Sequence, residues 1–266
     1  MRVLIFGGTT EGRKLSTALS NAGIDVTLSV ATEFGLHLVT YELETQSKPA
    51  TDGKLTVLSE RLGEQEIAVL LVQGNYDYVI DATHPYATEV TRNVRRACQT
   101  VGARYFRLKR PEIAEVSGAL YVPDADAAAE RLAGNSDKAF LTVGSKELER
   151  FTMVPNYSER LFIRILPMPA SLQKAHDLGF RMSNIICMQG PFDVDMNILT
   201  LKMTGAQYLV TKDSGDAGGF ESKIAAARTV GCKIIVIRRP VKEDGYTYDE
   251  ILSIVMGGGT SYEQKN

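Results

Sequence analysis

The sequence predicts an α/β protein made of two Rossmann-like, doubly wound parallel-sheet domains that face a shared cleft. Short apolar runs alternate with segments of helical periodicity along all 266 residues. A glycine turn follows the first run, and polar or glycine-rich residues follow most later runs. From residue 140 the runs begin about every 20–25 residues, which is the length of a strand–helix unit with short connections.

The glycine turn at residues 7–12 is the strongest local signal of function. The apolar run 3–6 before it is typical of a strand buried on both faces, and Leu15 and Leu19 recur at helical spacing after it. A strand, a tight turn and a helix N-terminus offer backbone N–H groups and the positive end of a helix dipole to a phosphate. A plain tight turn is the alternative interpretation.

Two nucleotide-binding fingerprints fit this turn unequally. Gly7 and Gly12 match the first and last positions of G-x-G-x-x-G, but Thr9 occupies the position of the middle glycine. Arg13 and Lys14 stand where a P-loop has lysine and a hydroxyl residue, so the P-loop is excluded. The hydroxyl groups of Thr9 and of Thr10, its neighbour, are candidates for contacts with a diphosphate.

The later elements follow in strand–helix order and place a domain boundary near the middle of the chain. Residues 120–122 and a helix at 125–132 form the join, and the turn-rich segment 134–137 ends the first domain. The expected domains are therefore 1–136 and 137–266. The first contains further strands at 25–31, 78–81 and 104–107, β-rich pieces at 36–44 and 54–58, and helices at 64–73 and from residue 85. The second contains strands at 140–143, 161–166, 185–188, 208–210 and 233–237, and a terminal helix at 249–255.

The end of the second strand leaves the choice of nicotinamide open. In a dinucleotide-binding fold this position contacts the ribose, where an acidic residue favours NAD and a basic or hydroxyl environment admits the 2′-phosphate of NADP. Ser29 lies there, with neither a carboxylate nor an arginine at the usual place. NADPH and NADH both remain candidate cofactors.

Cations gather just after the predicted strands, where ligands bind in open α/β sheets. A chain of net charge −2 that places its basic residues there is expected to bind a polyanion with several carboxylates or phosphates. For Arg238 and Arg239, solvated strand ends are an equal alternative. The cations in question are Arg107, Arg110, Lys146, Lys212, Arg238 and Arg239.

Two polar segments contain the remaining candidates for binding or catalytic residues. The loop 211–219 combines Lys212 and Asp213 with Ser214 and Gly215, whose N–H groups can surround an anion; a capped turn is its alternative interpretation. The second segment contains His84, which titrates near neutrality, and Tyr86, which can stack on a flat ligand. For both of these residues a structural role is the competing interpretation.

Bulk properties exclude several classes of protein. The net charge of −2 argues against nucleic acid as a partner. No apolar run approaches the ~20 residues of a membrane span, and the N-terminus does not resemble a signal peptide. The three cysteines, Cys98, Cys187 and Cys232, show no metal-ligand spacing with the histidines, so no metal site is expected. Buried, reduced thiols in a cytoplasmic protein are the simplest interpretation.

Seven motifs in order resemble the precorrin-6A reductase family over essentially the whole chain. That resemblance implies NADPH-dependent reduction of a double bond of the precorrin-6A macrocycle in cobalamin biosynthesis. A sister branch acts on cobalt-precorrin-6A and is associated with NADH, and the motifs do not decide between the branches. They are GGTTEG at 7–12, DATHPYA at 81–87, RLKRP at 107–111, TVGSK at 142–146, GPF at 190–192, TKDSG at 211–215 and RRP at 238–240.

The resemblance also implies roles for individual residues. The turn residues Gly7, Gly8, Thr9, Thr10, Glu11 and Gly12, with Thr83 and His84, would lie near the cofactor. The C-terminal domain would contribute the tetrapyrrole site. Five residues would face the tetrapyrrole or the nicotinamide: Tyr86 of the first domain, and Lys146, Lys212, Asp213 and Ser214 of the second. Lys212 or Asp213 is the first candidate for a proton donor and Tyr86 the second, with bound water as a rival. Any cobalt would belong to the substrate, and other cobalamin-pathway enzymes are candidate partners for hand-over.

Two other classes of function fit parts of the same pattern. A non-catalytic NAD(P)-sensing regulator also needs the glycine turn, but it does not need a second domain with its own anion loop. A two-domain transferase with a nucleotide-linked donor would share the cleft. Only the reductase is expected to consume a reduced nicotinamide.

Overall fold

The computed structural model describes residues 1–31, 35–37, 39–41, 53–110, 114–213, 219–239 and 244–257. Contacts divide the chain into two units, Met1–Pro111 with Val241–Asn266 and Glu112–Pro240. Each unit contains one sheet of parallel strands, so the predicted α/β class is confirmed. The predicted shared cleft between two domains remains a prediction.

The first sheet has the strand order β3-β2-β1-β4-β5, with β1 at its centre. Alternate residues of β1 face opposite sides: Val3 and Ile5 pack in one apolar core, and Leu4 and Phe6 in another. Helices therefore cover both faces of this sheet. Its elements are β1 (Arg2–Phe6), α1 (Thr10–Asn21), β2 (Asp25–Val30), β3 (Leu55–Ser59), α2 (Glu64–Gly74), β4 (Tyr78–Asp81), α3 (Thr88–Val101) and β5 (Tyr105–Arg107).

The second sheet has the order β6-β11-β10-β7-β8-β9. Phe140 of β7 packs with Leu201 and Ile224, which lie on the helices α7 and α8. The elements are β6 (Leu120–Val122), α4 (Ala125–Ala133), β7 (Ala139–Leu141), a 3-10 helix (Ser145–Met153), α5 (Tyr157–Arg160), β8 (Leu161–Ile165), α6 (Pro169–Asp177), β9 (Ile185–Cys187), α7 (Val194–Thr204), β10 (Tyr208–Lys212), α8 (Phe220–Val230) and β11 (Lys233–Ile237).

The observed units differ from the expected domains 1–136 and 137–266. Strand β6 pairs in parallel with β11, so the segment predicted as a join is an edge strand of the second sheet. The last helix, α9 (Tyr248–Met256), belongs instead to the first unit. Its apolar residues Ile251, Ile254 and Val255 pack in the same core as β1, which explains the exchange.

The predicted β-rich piece at 36–44 is wrong for the part that the structure describes. Residues 35–37 and 39–41 are helical, and 42–44 lie outside the described residues. Leu36 and Val39 are three residues apart and pack on one core, which is the spacing of a helix face rather than of a strand.

Three further findings concern the described part of the chain. No helix there combines the length and the hydropathy needed to cross a membrane. No group of three or more His, Cys, Asp or Glu side chains is placed to hold a metal ion. Cys98 is buried as expected, whereas Cys187 is exposed and Cys232 is partly exposed.

Candidate functional site

The loops after β1 and β4 meet where the strand order of the first sheet reverses. Such a reversal is the point at which open α/β sheets bind ligands. A Cβ atom built on Gly7 would lie 2.9 Å from the carbonyl oxygen of Ala82, so only glycine permits this approach. The Gly7 N–H donates to the carbonyl of Ser29, 2.9 Å away, which joins the end of β2 to the same place. The structure thus brings together the predicted turn, Ser29 and the loop after β4.

Thr9 has a structural role that the sequence did not predict. It is the N-cap of α1, and its Oγ1 accepts from the Gly12 N–H at 3.1 Å. The same hydroxyl donates to the Ala82 carbonyl at 2.8 Å. Its hydrogen is therefore used within the protein, which argues against Thr9 as a hydroxyl donor to a diphosphate. Gly12 is also structural, because a Cβ there would lie 3.1 Å from the Cβ of Ala82.

Gly8 is the member of the turn that leaves room for a ligand. It is exposed, and a Cβ built on it would have no heavy atom within 4 Å. This open space adjoins the first turn of α1, whose leading N–H groups have no intrahelical acceptors. A dinucleotide diphosphate fits these features, because backbone N–H groups bind it and a side chain at Gly8 would occupy its space.

Three charged side chains surround the first turn of α1. Arg13 is buried and donates to the Gly8 carbonyl at 2.9 Å, and its guanidinium lies 3.5 Å from the hydroxyl of Thr10. Glu11 accepts from Arg110 at 3.0 Å. Glu11 is thus tied to the segment after β5, and Arg13 fixes the carbonyl of the turn.

Asp81, the last residue of β4, is the centre of a buried polar network. Its Oδ1 accepts from the Arg107 guanidinium at 2.7 Å and from both the N–H and the hydroxyl of Thr83, at 3.0 and 2.7 Å. Its Oδ2 accepts from the Tyr105 hydroxyl at 3.1 Å. Arg107 also donates to the Thr83 carbonyl at 3.0 Å. These bonds fix the chain as it leaves β4.

This network includes two of the predicted site residues. Arg107 is only 6% exposed and is paired with the fully buried carboxylate of Asp81, which favours a structural role, and its contact with substrate remains a prediction. The hydroxyl of Thr83 is likewise engaged within the network.

The buried charge of Asp81 also affects two neighbouring groups. Burial, and then the negative charge of Asp81, raise the pKa of the Cys98 thiol to about 12, and the same two causes raise the pKa of Tyr105.

His84 and Tyr86 form a small aromatic unit on this loop. Nδ1 of His84 accepts from the Tyr86 N–H at 3.3 Å, and the two ring centroids are 5.4 Å apart. A neutral imidazole that accepts at Nδ1 carries its hydrogen on Nε2, which makes Nε2 the donor. The loop after β4 therefore places an imidazole and a phenol ring side by side.

The second sheet reverses its strand order between β7 and β10, and charged residues lie there as well. Nζ of Lys212, at the end of β10, is 2.8 Å from Oε1 of Glu147 in the 3-10 helix that follows β7. The two side chains are 16% and 30% exposed, so they are neither buried in the core nor freely solvated. Asp213 pairs with Arg239 at 3.3 Å, and this second pair joins the ends of β10 and β11.

The other predicted substrate residues are either more exposed than Lys212 or outside the described part of the chain. Lys146 is exposed, and its carbonyl accepts from Lys174 at 3.3 Å. Arg238 is half exposed and pairs with Glu115. Ser214 and Gly215 lie outside the described residues.

Several residues of these networks were missed by sequence reasoning. Asp81 stood in a quoted motif, but an aspartate that ends a strand gives no sign of its buried arginine partner. Glu147 belongs to a polar helix in which nothing distinguishes it from its neighbours. Arg164, a buried cation of β8 outside these networks, did carry a signal, since it interrupts the apolar run of that strand. Arg13 was considered only as a mismatch to the P-loop lysine.

Comparisons with known proteins agree with this architecture. The family model of precorrin-6x reductase, CbiJ/CobK, matches residues 2–256. A cobalt-precorrin-6A reductase of Salmonella typhimurium is 34% identical over 257 residues, which cover 94% of this chain and 91% of that protein. One from Priestia megaterium is 31% identical over 256 residues, covering 95% and 96%.

A relative named for the substrate without cobalt and a solved structure are also similar to this chain. A precorrin-6A reductase of Rhodobacter capsulatus is 28% identical over 241 residues, covering 90% of this chain and 88% of that protein. A solved structure of CobK precorrin-6A reductase superposes with a TM-score of 0.74 at 24% identity, covering 99% of this chain and 100% of that one. At that identity the superposition establishes the fold.

Proposed function

The chain belongs to the precorrin-6x reductase family, and on that premise we propose that it reduces a ring double bond of precorrin-6A or cobalt-precorrin-6A with NADPH or NADH. Relatives in this family act in cobalamin biosynthesis, and both substrate names occur among them. Family membership favours the reductase over the regulator and the transferase. The observation that carries the proposal is the glycine turn at the reversal of the first sheet, with open space at Gly8.

The first unit is proposed to bind the dinucleotide. The first turn of α1 offers N–H groups to its diphosphate, and Gly8 leaves space for that group. When bound, the reduced nicotinamide supplies the hydride. Ser29, at the end of β2, lies where the ribose is contacted in this fold class. His84 comes two residues after Ala82, which contacts Gly7, and we propose that it lies near the same cofactor.

The second unit is proposed to hold the tetrapyrrole and to supply the proton. Lys212 carries three ammonium hydrogens and donates to Glu147. Asp213 already accepts from Arg239, and an ionised carboxylate is an acceptor only, so Lys212 is the better proton source of the two. The remaining task of the chain is to hold donor and acceptor in contact, which accelerates hydride transfer chiefly through orientation.

Anaerobic incubation with enzymatically made precorrin-6A or cobalt-precorrin-6A tests this function. With NADPH or NADH present, we expect the near-ultraviolet absorbance of the reduced nicotinamide to fall while the tetrapyrrole spectrum shifts. Four combinations of nucleotide and substrate decide both the nicotinamide and the need for cobalt. Binding of both ligands without any spectral change would contradict the proposal.

The setting of the reaction is also a proposal. The product is an intermediate of a multistep pathway, so we propose a cytoplasmic enzyme that hands it over to another enzyme of cobalamin biosynthesis. We expect no nucleic acid as a partner, because the net charge is −2. We expect no membrane either, because no apolar run approaches the ~20 residues of a span.

A further inference from the structure

The second unit buries two cationic side chains that have no role in the proposed function as described above. Arg164 is the fourth residue of β8 and is 8% exposed, and Lys223 is the fourth residue of α8 and is 7% exposed. Within the described part of the chain, neither forms an ion pair, and Lys223 forms no side-chain hydrogen bond. A charge that is buried without a counter-ion costs several kcal/mol, so two such cations in one unit need an explanation.

Arg164 is held firmly in position. Its guanidinium donates to Oδ1 of Asn197 at 3.0 Å, and its central carbon lies 3.9 Å from the ring centroid of Phe192 and 5.3 Å from that of Phe140. The amide of Asn197 donates in turn to the Phe192 carbonyl and to the Asp193 carbonyl, at 3.4 and 2.7 Å. A guanidinium has five N–H donors, and the described residues accept from one of them.

Lys223 lies within electrostatic range of this arginine. Burial, and next the positive charge of Arg164, lower the pKa of Lys223 to about 7. A helical side chain leans toward the N-terminus of its helix, which directs Lys223 toward the start of α8 at Gly219. Gly219 lies close to the Phe192 carbonyl, because a Cβ built on it would be 3.8 Å away. Both cations thus lie near the loop that follows β9, at the carboxyl edge of the sheet.

The burial of Arg164 and Lys223 lowers the stability of the fold. The fold gains nothing from two like charges in a core, whereas apolar residues of similar volume would remove the penalty. An anion that bridges them would satisfy the remaining donors, with the guanidinium binding two oxygens at once and the ammonium acting as a point charge.

We propose that Arg164 and Lys223 together bind one carboxylate side chain of the tetrapyrrole. The identity of the ligand rests on the proposed function, because that substrate is a macrocycle with many carboxylates. Asn197 and Phe192 are positioning residues, since they hold the guanidinium in place.

The test is a calorimetric titration with precorrin-6A, without nicotinamide, of the wild-type protein and of Lys223→Met. Methionine keeps the length of the side chain and removes the charge, so we expect an unchanged or higher unfolding temperature. The affinity for precorrin-6A should fall about tenfold or more, as for the loss of a charge-assisted hydrogen bond. Lys202→Met, at an exposed lysine of α7, is the matched control and should leave the affinity unchanged.

A second ligand and a second variant complete the test. The methyl ester of the same tetrapyrrole should bind wild type and Lys223→Met equally well, and Arg164→Met should repeat the loss if one variant fails to fold. Wild-type affinity of a folded variant for precorrin-6A would overturn the proposal. So would a thermal stabilisation by inorganic phosphate that Lys223→Met abolishes while tetrapyrrole affinity is unchanged, because the site would then serve a free anion. Since only binding is measured, failure of the reduction reaction itself would be seen separately.

Discussion

Arg107 and Asp81 form a buried ion pair, with 2.7 Å between the guanidinium nitrogen and the carboxylate oxygen. The arginine comes from β5 and the aspartate from β4, which are neighbours in the first sheet. The pair holds Thr83, and through it the chain that leads to His84. The charge of Arg107 is therefore used to shape the loop after β4.

Removing one member of this pair should destabilise the protein. Arg107→Met leaves the buried carboxylate of Asp81 without its cationic partner, so the free energy of unfolding should fall by about 3–5 kcal/mol. The double variant Asp81→Asn/Arg107→Met should recover much of that loss. Urea unfolding of the four proteins in the cycle measures the coupling. Wild-type stability of Arg107→Met, combined with weaker tetrapyrrole binding, would instead restore the predicted contact with substrate.

Gly7 and Gly8 should respond in opposite ways to a side chain. Gly8→Val places its side chain in open space, so stability should stay within about 0.5 kcal/mol while dinucleotide affinity falls at least about tenfold. Gly7→Ala meets the Ala82 carbonyl at 2.9 Å and should cost about 1–3 kcal/mol of stability. Titration with NADPH and NADH, alongside urea unfolding, checks both. Unchanged affinity in Gly8→Val would place the diphosphate elsewhere.

Substitutions of Lys212 and of Glu147 should change the affinity for the tetrapyrrole in different directions. Lys212→Ala removes a cation at the reversal of the second sheet and should weaken tetrapyrrole binding about tenfold or more, with little change in dinucleotide affinity. Glu147→Gln removes the competing carboxylate 2.8 Å away and should leave tetrapyrrole binding equal or tighter. Binding titrations with each ligand separate the two effects. Equal loss of both affinities in Lys212→Ala would contradict this assignment.

Lys223 should make stability depend on pH. Its pKa is about 7 in the folded protein and ordinarily 10.5, so between these values the unfolded chain binds a proton that the folded chain does not. The free energy of unfolding of wild type, relative to Lys223→Met, should therefore rise by about 1.4 kcal/mol per pH unit there. Below about pH 7 the difference should be constant. Urea unfolding of both proteins at several pH values measures it, and parallel curves would refute the low pKa.

The sequence predicted the elements well where their signals are local. The glycine turn and the central strands were placed correctly, because apolar periodicity and turn chemistry depend on near neighbours. The roles of the polar residues after these strands remain predictions. The prediction of a β-rich piece at 36–44 was wrong for the same reason, since it rested on near neighbours alone. Leu36 and Val39 fit either a strand or a helix, and only the core on which they pack decides between these.

The sequence by itself thus determined the α/β class, the family and the strand ends at which ligands are expected to bind. The tertiary structure alone decided which unit β6 and α9 join, because strand pairing and core packing connect residues more than a hundred positions apart. It also decided which cations are paired. Arg107 and Arg164 both lie on strands, yet one meets a buried carboxylate and the other does not, since the energy of a buried charge depends on what the fold places beside it.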